Sequence, residues 1–234
     1  MKIGIMQPYF LPYIGYWQLL NGVDRFVVCD NMQFTKKGWM RHNYILNNNG
    51  SSMFTIPVKH GPRELNICDR YITEQYFEKD ADKIIRKIKS VYQKAPYFEE
   101  VMPVVEQCIL FKEDNLFLFI LNSIKTVSGY LGIATQILVL SQIEADHSLK
   151  KQDRVIEICK KLGTRSYINT IGGLELYDKD IFGSNELELK FIKPKNIEYK
   201  QFQDQFVPNL SIIDVMMFNS KDEIKNMLNM YELI

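Results

Sequence analysis

The segment Gln7-Pro8-Tyr9-Phe10-Leu11-Pro12-Tyr13-Ile14-Gly15-Tyr16-Trp17 gathers a neutral amide, three tyrosines, a glycine and a tryptophan between two short apolar runs, Ile3-Gly4-Ile5 and Phe26-Val27-Val28-Cys29. Gln7 can donate and accept at once, and Tyr9, Tyr13 and Tyr16 offer flat faces with a polar tip, a set suited to binding a ring-bearing small molecule. A helix opening near Gly15 would also aim backbone N–H groups at a phosphate or carboxylate. A second stretch, Asp30 to Asn43, adds Gln33, Lys36, Lys37, Trp39, Arg41, His42 and Asn43. Lys36, Lys37 and Arg41 are candidate anion partners, with Arg41 favoured because a guanidinium holds a carboxylate or phosphate through two parallel bonds. A third stretch, Tyr167 to Asp178, supplies Asn169, Gly172, Gly173 and Tyr177, its paired glycines allowing close backbone approach or positive φ. Together these suit a nucleotide or nucleotide-sugar. Of the histidines, His42 and His60 are candidate general bases, because imidazole titrates near neutrality, and His147 is expected to be solvated. Each stretch has a plainer alternative: aromatics at a strand-to-helix junction cover core, Lys-Lys-Gly makes a solvated turn, and adjacent glycines make a tight connection.

These residues need elements to position them. Alternation predicts strands over Lys2–Gln7, Arg25–Asp30 and Met53–Val58, a helix over Gly15–Asn21, and a turn at Asn47-Asn48-Asn49-Gly50. The period then becomes helical: Ile84, Ile85, Ile88, Val91 and Tyr92 share one face, Phe98 through Ile109 carry a second, and Asn115 is placed to cap a third that stops near Gly132. From Gln136 the reading is strand (Gln136–Ser141), helix (Asp153–Leu162, stopped by Gly163), strand (Arg165–Thr170), a short helical segment (Leu174–Asp180) and strand (Leu187–Lys193). Parallel βαβ units follow, giving an α/β fold with a Rossmann-like, mainly parallel sheet. Residues 1–75 and 133–234 are expected to form this core, and 76–132 a helical subdomain. Ser211 with Asp214 and Ser220 with Glu223 have capping-box spacing. In open α/β sheets ligands bind beyond the carboxyl ends of the strands, so the loops after the first two strands should face one cleft.

Composition narrows the function. Net charge is +1 with both signs mixed along 234 residues, which excludes a nucleic-acid or membrane-surface protein held by bulk electrostatics. Cys29, Cys68, Cys108 and Cys159 are widely spaced in apolar segments, so reduced, mostly buried thiols are expected rather than zinc or disulfides. The apolar run Leu116–Leu121 is too short to span a bilayer, and a cytosolic location follows. No P-loop, GxGxxG or Ser-His-Asp order is present, so no cofactor is singled out, and self-association is left open.

The motifs resemble those of the WbqC-like family: I-M-Q-P-Y-F-x-P-Y-I-G-Y at Ile5–Tyr16, D-x-x-Q-F-x-K-[KR]-x-W followed by R and N-x-I across Asp30–Ile45 with His42 preceding Asn43, Y-x-N-x-x-G-G-x-x-L-Y at Tyr167–Tyr177, and L-S-I-I-D at Leu210–Asp214. The resemblance spans nearly the whole chain. It implies a role in bacterial O-antigen and surface-polysaccharide biosynthesis, with a glycyl-type or related acyl transfer onto a nucleotide-linked amino sugar. A more distant similarity, to the HxGH region of nucleotidyltransferases and pantothenate synthetases, places Gly15 at the glycine but Tyr13 and Tyr16 where that motif has histidines. It implies ATP-dependent nucleotidyl transfer or ligation as an alternative, with Lys36, Lys37 and Arg41 as replacement charge. A non-catalytic nucleotide-sugar-binding subunit is the third.

Overall fold

A computed structural model describes residues 1–234 except Lys37, Asn48, Asn49 and Gln203. Strand β1 (Lys2–Met6) runs parallel to β2 (Arg25–Val28) and, on its other side, to β6 (Ser166–Thr170). Outside these lie β5 (Gln136–Val139) beside β2, β7 (Glu188–Pro194) beside β6, and the antiparallel β8 (Tyr231–Leu233). The order β5-β2-β1-β6-β7-β8 means that the chain builds outward from β1 in one direction, then returns to build outward in the other. The reversal lies between β1 and β6, where connections leave on opposite faces and open a crevice at the carboxyl ends of the strands. The protein is therefore α/β and Rossmann-like.

Alternation along the strands makes both faces apolar. Ile3, Ile5, Val27, Cys29, Tyr167 and Phe191 pack under α5 (Lys151–Lys161) and α6 (Lys179–Ser184). Phe26, Val28, Ile168 and Ile192 point the other way, to α1 (Ile14–Asn21), α7 (Ile212–Phe218) and α8 (Lys221–Met227). The same apolar cluster continues into α2 (Ala81–Tyr92), α3 (Phe98–Ile109) and α4 (Leu116–Leu131), which the chain inserts between β2 and β5. Asn115 caps α4 by accepting from the Leu118 N–H at 3.1 Å, and Gly132 ends it at φ 68°. Gly163, at φ 63°, follows α5 in the same way. Among the described residues, no helix is long and apolar enough to cross a membrane.

Two expectations need correction. The third early strand belongs not to the main sheet but to a separate hairpin, β3 (His42–Asn47) with β4 (Gly50–Thr55), so Val58 lies beyond it in an isolated bridge to Ile72. Asn47 pairs with Gly50, and the turn expected at Asn48 and Asn49 lies outside the described residues. Ser220 and Glu223 do form a capping box, whereas Asp214 does not turn back to Ser211. It is buried and accepts from the hydroxyls of Tyr92 and Tyr199 and from Gln201 Nε2, each at 2.7 Å. Burial raises its pKa above the usual carboxylate range, against the pull of those three donors.

Candidate functional site

The Pro-rich segment is fixed by its own backbone carbonyls. Pro8 and Pro12 have no N–H to donate, so carbonyls carry the anchoring. Asn43, 3% exposed at the second position of β3, donates Nδ2 to Leu11 O at 2.8 Å and Phe10 O at 3.3 Å, while its Oδ1 accepts from Tyr44 N. Ser211 Oγ donates to Leu11 O at 2.7 Å, and Pro12 O accepts from Trp17 Nε1 and Ile212 N, each at 3.0 Å. These clamps, with Phe10 packed on Phe54 and Phe119, hold Leu11 at φ 46°, a region that side chains other than glycine rarely occupy. Gly15 answers a close approach: a Cβ there would lie 2.3 Å from Tyr13 Oη, so the glycine lets the Tyr13 ring lie across the start of α1.

Beyond this segment lies a cavity of about 1310 Å³ at the β1/β6 reversal. On the α1 side its wall holds Gln7, Tyr9, Tyr13, Tyr16, Gln33 and Trp39, with Asn169 near the end of β6 and Gly172, Gly173 and Tyr177 after it. The loops after β1 and β2 thus share one concave surface, and the segment after β6 joins them. Tyr13 and Trp39 are 40% and 46% exposed and form a rim. Tyr16 is almost fully buried against Trp17 and Phe26, its hydroxyl donating to Gln7 O at 3.2 Å. Tyr9 donates to Gln7 Oε1 at 3.3 Å, leaving the Gln7 amide N–H groups without a partner among the described residues. Burial raises the pKa of Tyr9, Tyr13, Tyr16 and Tyr177, so these four hydroxyls are neutral at pH 7, and Glu175 is the one carboxylate among the described lining residues. Neither Gly172 nor Gly173 has positive φ; Gly173 instead makes room for Asn169, whose Nδ2 lies 2.8 Å from where a Cβ would be.

The remaining expected residues lie elsewhere. Arg41 donates Nη1 to Thr55 Oγ1 and to Ile56 O, both at 3.3 Å, and tethers the hairpin rather than lining the cavity. His42 is also off the lining, its ring 5.3 Å from that of Trp39, and burial and then Arg41 lower its pKa. His60 and Lys36 are exposed and line nothing of the cavity, and Lys37 lies outside the described residues. His147 is exposed, yet Nδ1 lies 3.2 Å from Asn31 Nδ2 and Nε2 3.1 Å from Ile143 O.

Sequence reasoning missed the opposite wall. Lys150, Lys151 and Arg154, at the start of α5, face the cavity from the other side of the sheet. Arg154 donates Nη2 to Asn31 Oδ1, while its Nε is buried without a partner. None of the described carboxylates pairs with these three cations. Beneath them the floor is apolar, with Ile5, Cys29, Leu140, Val155 and Ile158. Cys29 is buried, and desolvation pushes its thiol up to about 12 despite the opposing Arg154 charge, so it is neither thiolate nor nucleophile. The signal was present, Lys150-Lys151 and Arg154 opening a helix, but it reads like any solvated first turn.

The sequence pattern of the WbqC-like protein family matches residues 7–226, which include all the described cavity-lining residues except Ile5 and Met6. The chain belongs to that family. Among its relatives is the protein Rv1507c of Mycobacterium tuberculosis (strain ATCC 25618 / H37Rv), itself uncharacterised, 24% identical over 228 residues that cover 92% of each chain. No solved structure matches. Membership ties the Pro-rich segment, the Asn43 region, the Asn169–Tyr177 segment and the Ser211–Asp214 clamp into one matched unit.

Proposed function

We propose that this WbqC-like chain is a transferase of bacterial surface-glycan assembly, placing an acyl or aminoacyl group on the amine of a nucleotide-linked sugar in the cytoplasm. The observation that carries the reading is the neutral aromatic and amide wall at the strand reversal, with Tyr13 and Trp39 exposed at its rim and Gln7 free to donate. Sugars offer apolar C–H faces that lie on aromatic rings and hydroxyls that pair with amides, and such a wall serves both without demanding charge. Gln7, the second N–H of Gln33 (whose Nε2 already donates to Arg63 O at 3.0 Å) and nearby backbone N–H groups are the donors available to an acyl oxyanion. Tyr13 and Tyr16 hold no positive charge at the α1 start, where the HxGH motif has histidines, so we rank nucleotidyl transfer behind acyl transfer although Lys150, Lys151 and Arg154 supply charge across the cavity. No histidine lines the cavity among the described residues, and this favours a catalytically silent sugar-binding subunit as the second reading.

Saturation-transfer NMR with UDP-glucosamine, UDP-N-acetylglucosamine and UDP tests the reading. Sugar protons should receive saturation, and the sugar-bearing ligands should bind at least several-fold tighter than UDP, with Trp39→Ala removing that margin. Equal binding of UDP, or binding indifferent to Trp39, would overturn it. Sugar binding without turnover across acyl donors would favour the silent subunit.

A further inference from the structure

The cavity is larger than the about 300–1,000 Å³ typical of a single-ligand site and straddles the carboxyl edge of the sheet. Its two sides differ in kind. The α1 side is neutral and aromatic; the α5 side joins an apolar floor on the Ile5 and Cys29 face to three unpaired cations at the outer end. The sugar suits the first side, but neither it nor the diphosphate of its nucleotide uses the apolar floor of Ile5, Leu140, Val155 and Ile158 that leads to Lys150, Lys151 and Arg154. Arg154 Nε is buried on this side without a partner among the described residues, and an unsatisfied donor on a cation is costly to keep dry.

We propose that the α5 side is the donor subsite and takes a phosphate-bearing acyl thioester, of the phosphopantetheine class, alongside the sugar. This rests on the transferase reading above and supplies its missing donor. The phosphates lie against Lys150, Lys151 and Arg154, and the uncharged pantetheine arm runs over Val155, Ile158 and Ile5 toward the sheet edge. There the thioester meets the sugar amine held on the aromatic side. The amine nitrogen attacks the thioester carbonyl carbon, a C–N bond forms as the C–S bond breaks, and the proton shed by the amine is taken by the departing thiolate. The products are an amide and a free thiol, with no oxidant, metal or acyl-enzyme required. Transfer is direct because the cysteine under the arm, Cys29, is a buried neutral thiol.

The test is calorimetry on the full chain with coenzyme A, with a carrier protein bearing 4′-phosphopantetheine, and with UDP-glucosamine, alone and in pairs. Coenzyme A or the loaded carrier should bind together with UDP-glucosamine, and which of the two binds identifies the source of the thioester. Arg154→Gln and Lys151→Gln should each weaken the thiol-bearing ligand about tenfold while leaving UDP-glucosamine within twofold, and the affinity should fall steeply with salt. Competition between the two ligands, or loss of UDP-glucosamine in Arg154→Gln with no coenzyme A or carrier binding, would overturn the donor subsite while sparing the transferase reading. If nothing binds, both fall.

Discussion

Two helix starts face the same cavity and are built on opposite principles. At α1 the chain spends core: Phe10, Leu11, Tyr16 and Trp17 are at most 2% exposed, the carbonyls of Leu11 and Pro12 are each clamped twice, and no cation is present. At α5 it spends charge: Lys150 and Lys151 are exposed, the helix start has no side-chain cap, and only Arg154 reaches inward. The first end is a shape that cannot change without the fold; the second is a field that can be retuned by single substitutions. A ligand's rigid part belongs at the first and its charged part at the second.

The sharpest way to break this contrast is to cut a clamp. Asn43→Ala should destabilise the protein by about 2–4 kcal/mol in urea denaturation, because it strands the Phe10 carbonyl, removes one of the two donors to Leu11 O and takes the acceptor from the Tyr44 N–H, whereas Lys151→Ala should stay within about 0.5 kcal/mol. Equal effects would mean that the α1 end is no more built in than the α5 end. Next in size is a pH effect at the root of the same clamp. The raised native pKa of Asp214 makes its stability contribution fullest below the ordinary carboxylate value, and that contribution declines as pH rises through the native one. Asp214→Asn should therefore flatten the unfolding midpoint against pH in that window, and an unchanged slope would assign the dependence elsewhere. A smaller loss is expected at the rim, where Tyr13→Ala should weaken UDP-glucosamine by about 1 kcal/mol and Tyr13→Phe hardly at all, since the ring makes the wall. Smallest is the His42 titration: removing the neighbouring guanidinium in Arg41→Ala should move its NMR-detected pKa upward, and a downward shift would contradict the charge contact.

Much of the frame was legible because its signals are local. Alternating Ile3, Ile5, Val27 and Cys29 could only be strands with two apolar faces, and Asn115 and Gly132 marked the ends of α4 within a residue. The composition of Gln7–Trp17 singled out one wall for the same reason. What stayed hidden depends on distant partners. Asp30–Asn43 reads as one loop, but β3 begins at His42, which sends Arg41 to β4 and puts His42 behind Trp39. Ser211 does cap α7 by accepting from Ile213 N, yet it also donates to Leu11 O, and Asp214 accepts from Tyr92 instead of closing a box, pairings unreachable by any local rule. Lys150, Lys151 and Arg154 gain meaning only once α5 is laid across the far face of the sheet.

The bond from Ser211 to Leu11 spans 200 residues, and it sets an order of events. At ribosomal rates of about 5–20 residues per second, roughly 10–40 s separate the synthesis of the two partners. Throughout that interval the segment made among the first lacks the hydroxyl that helps hold Leu11 left-handed, and β1 waits for β6, its neighbour across the crevice. Long-range closures of this kind slow folding. The aromatic wall is thus among the earliest parts of the protein to be made and among the last to become a finished surface.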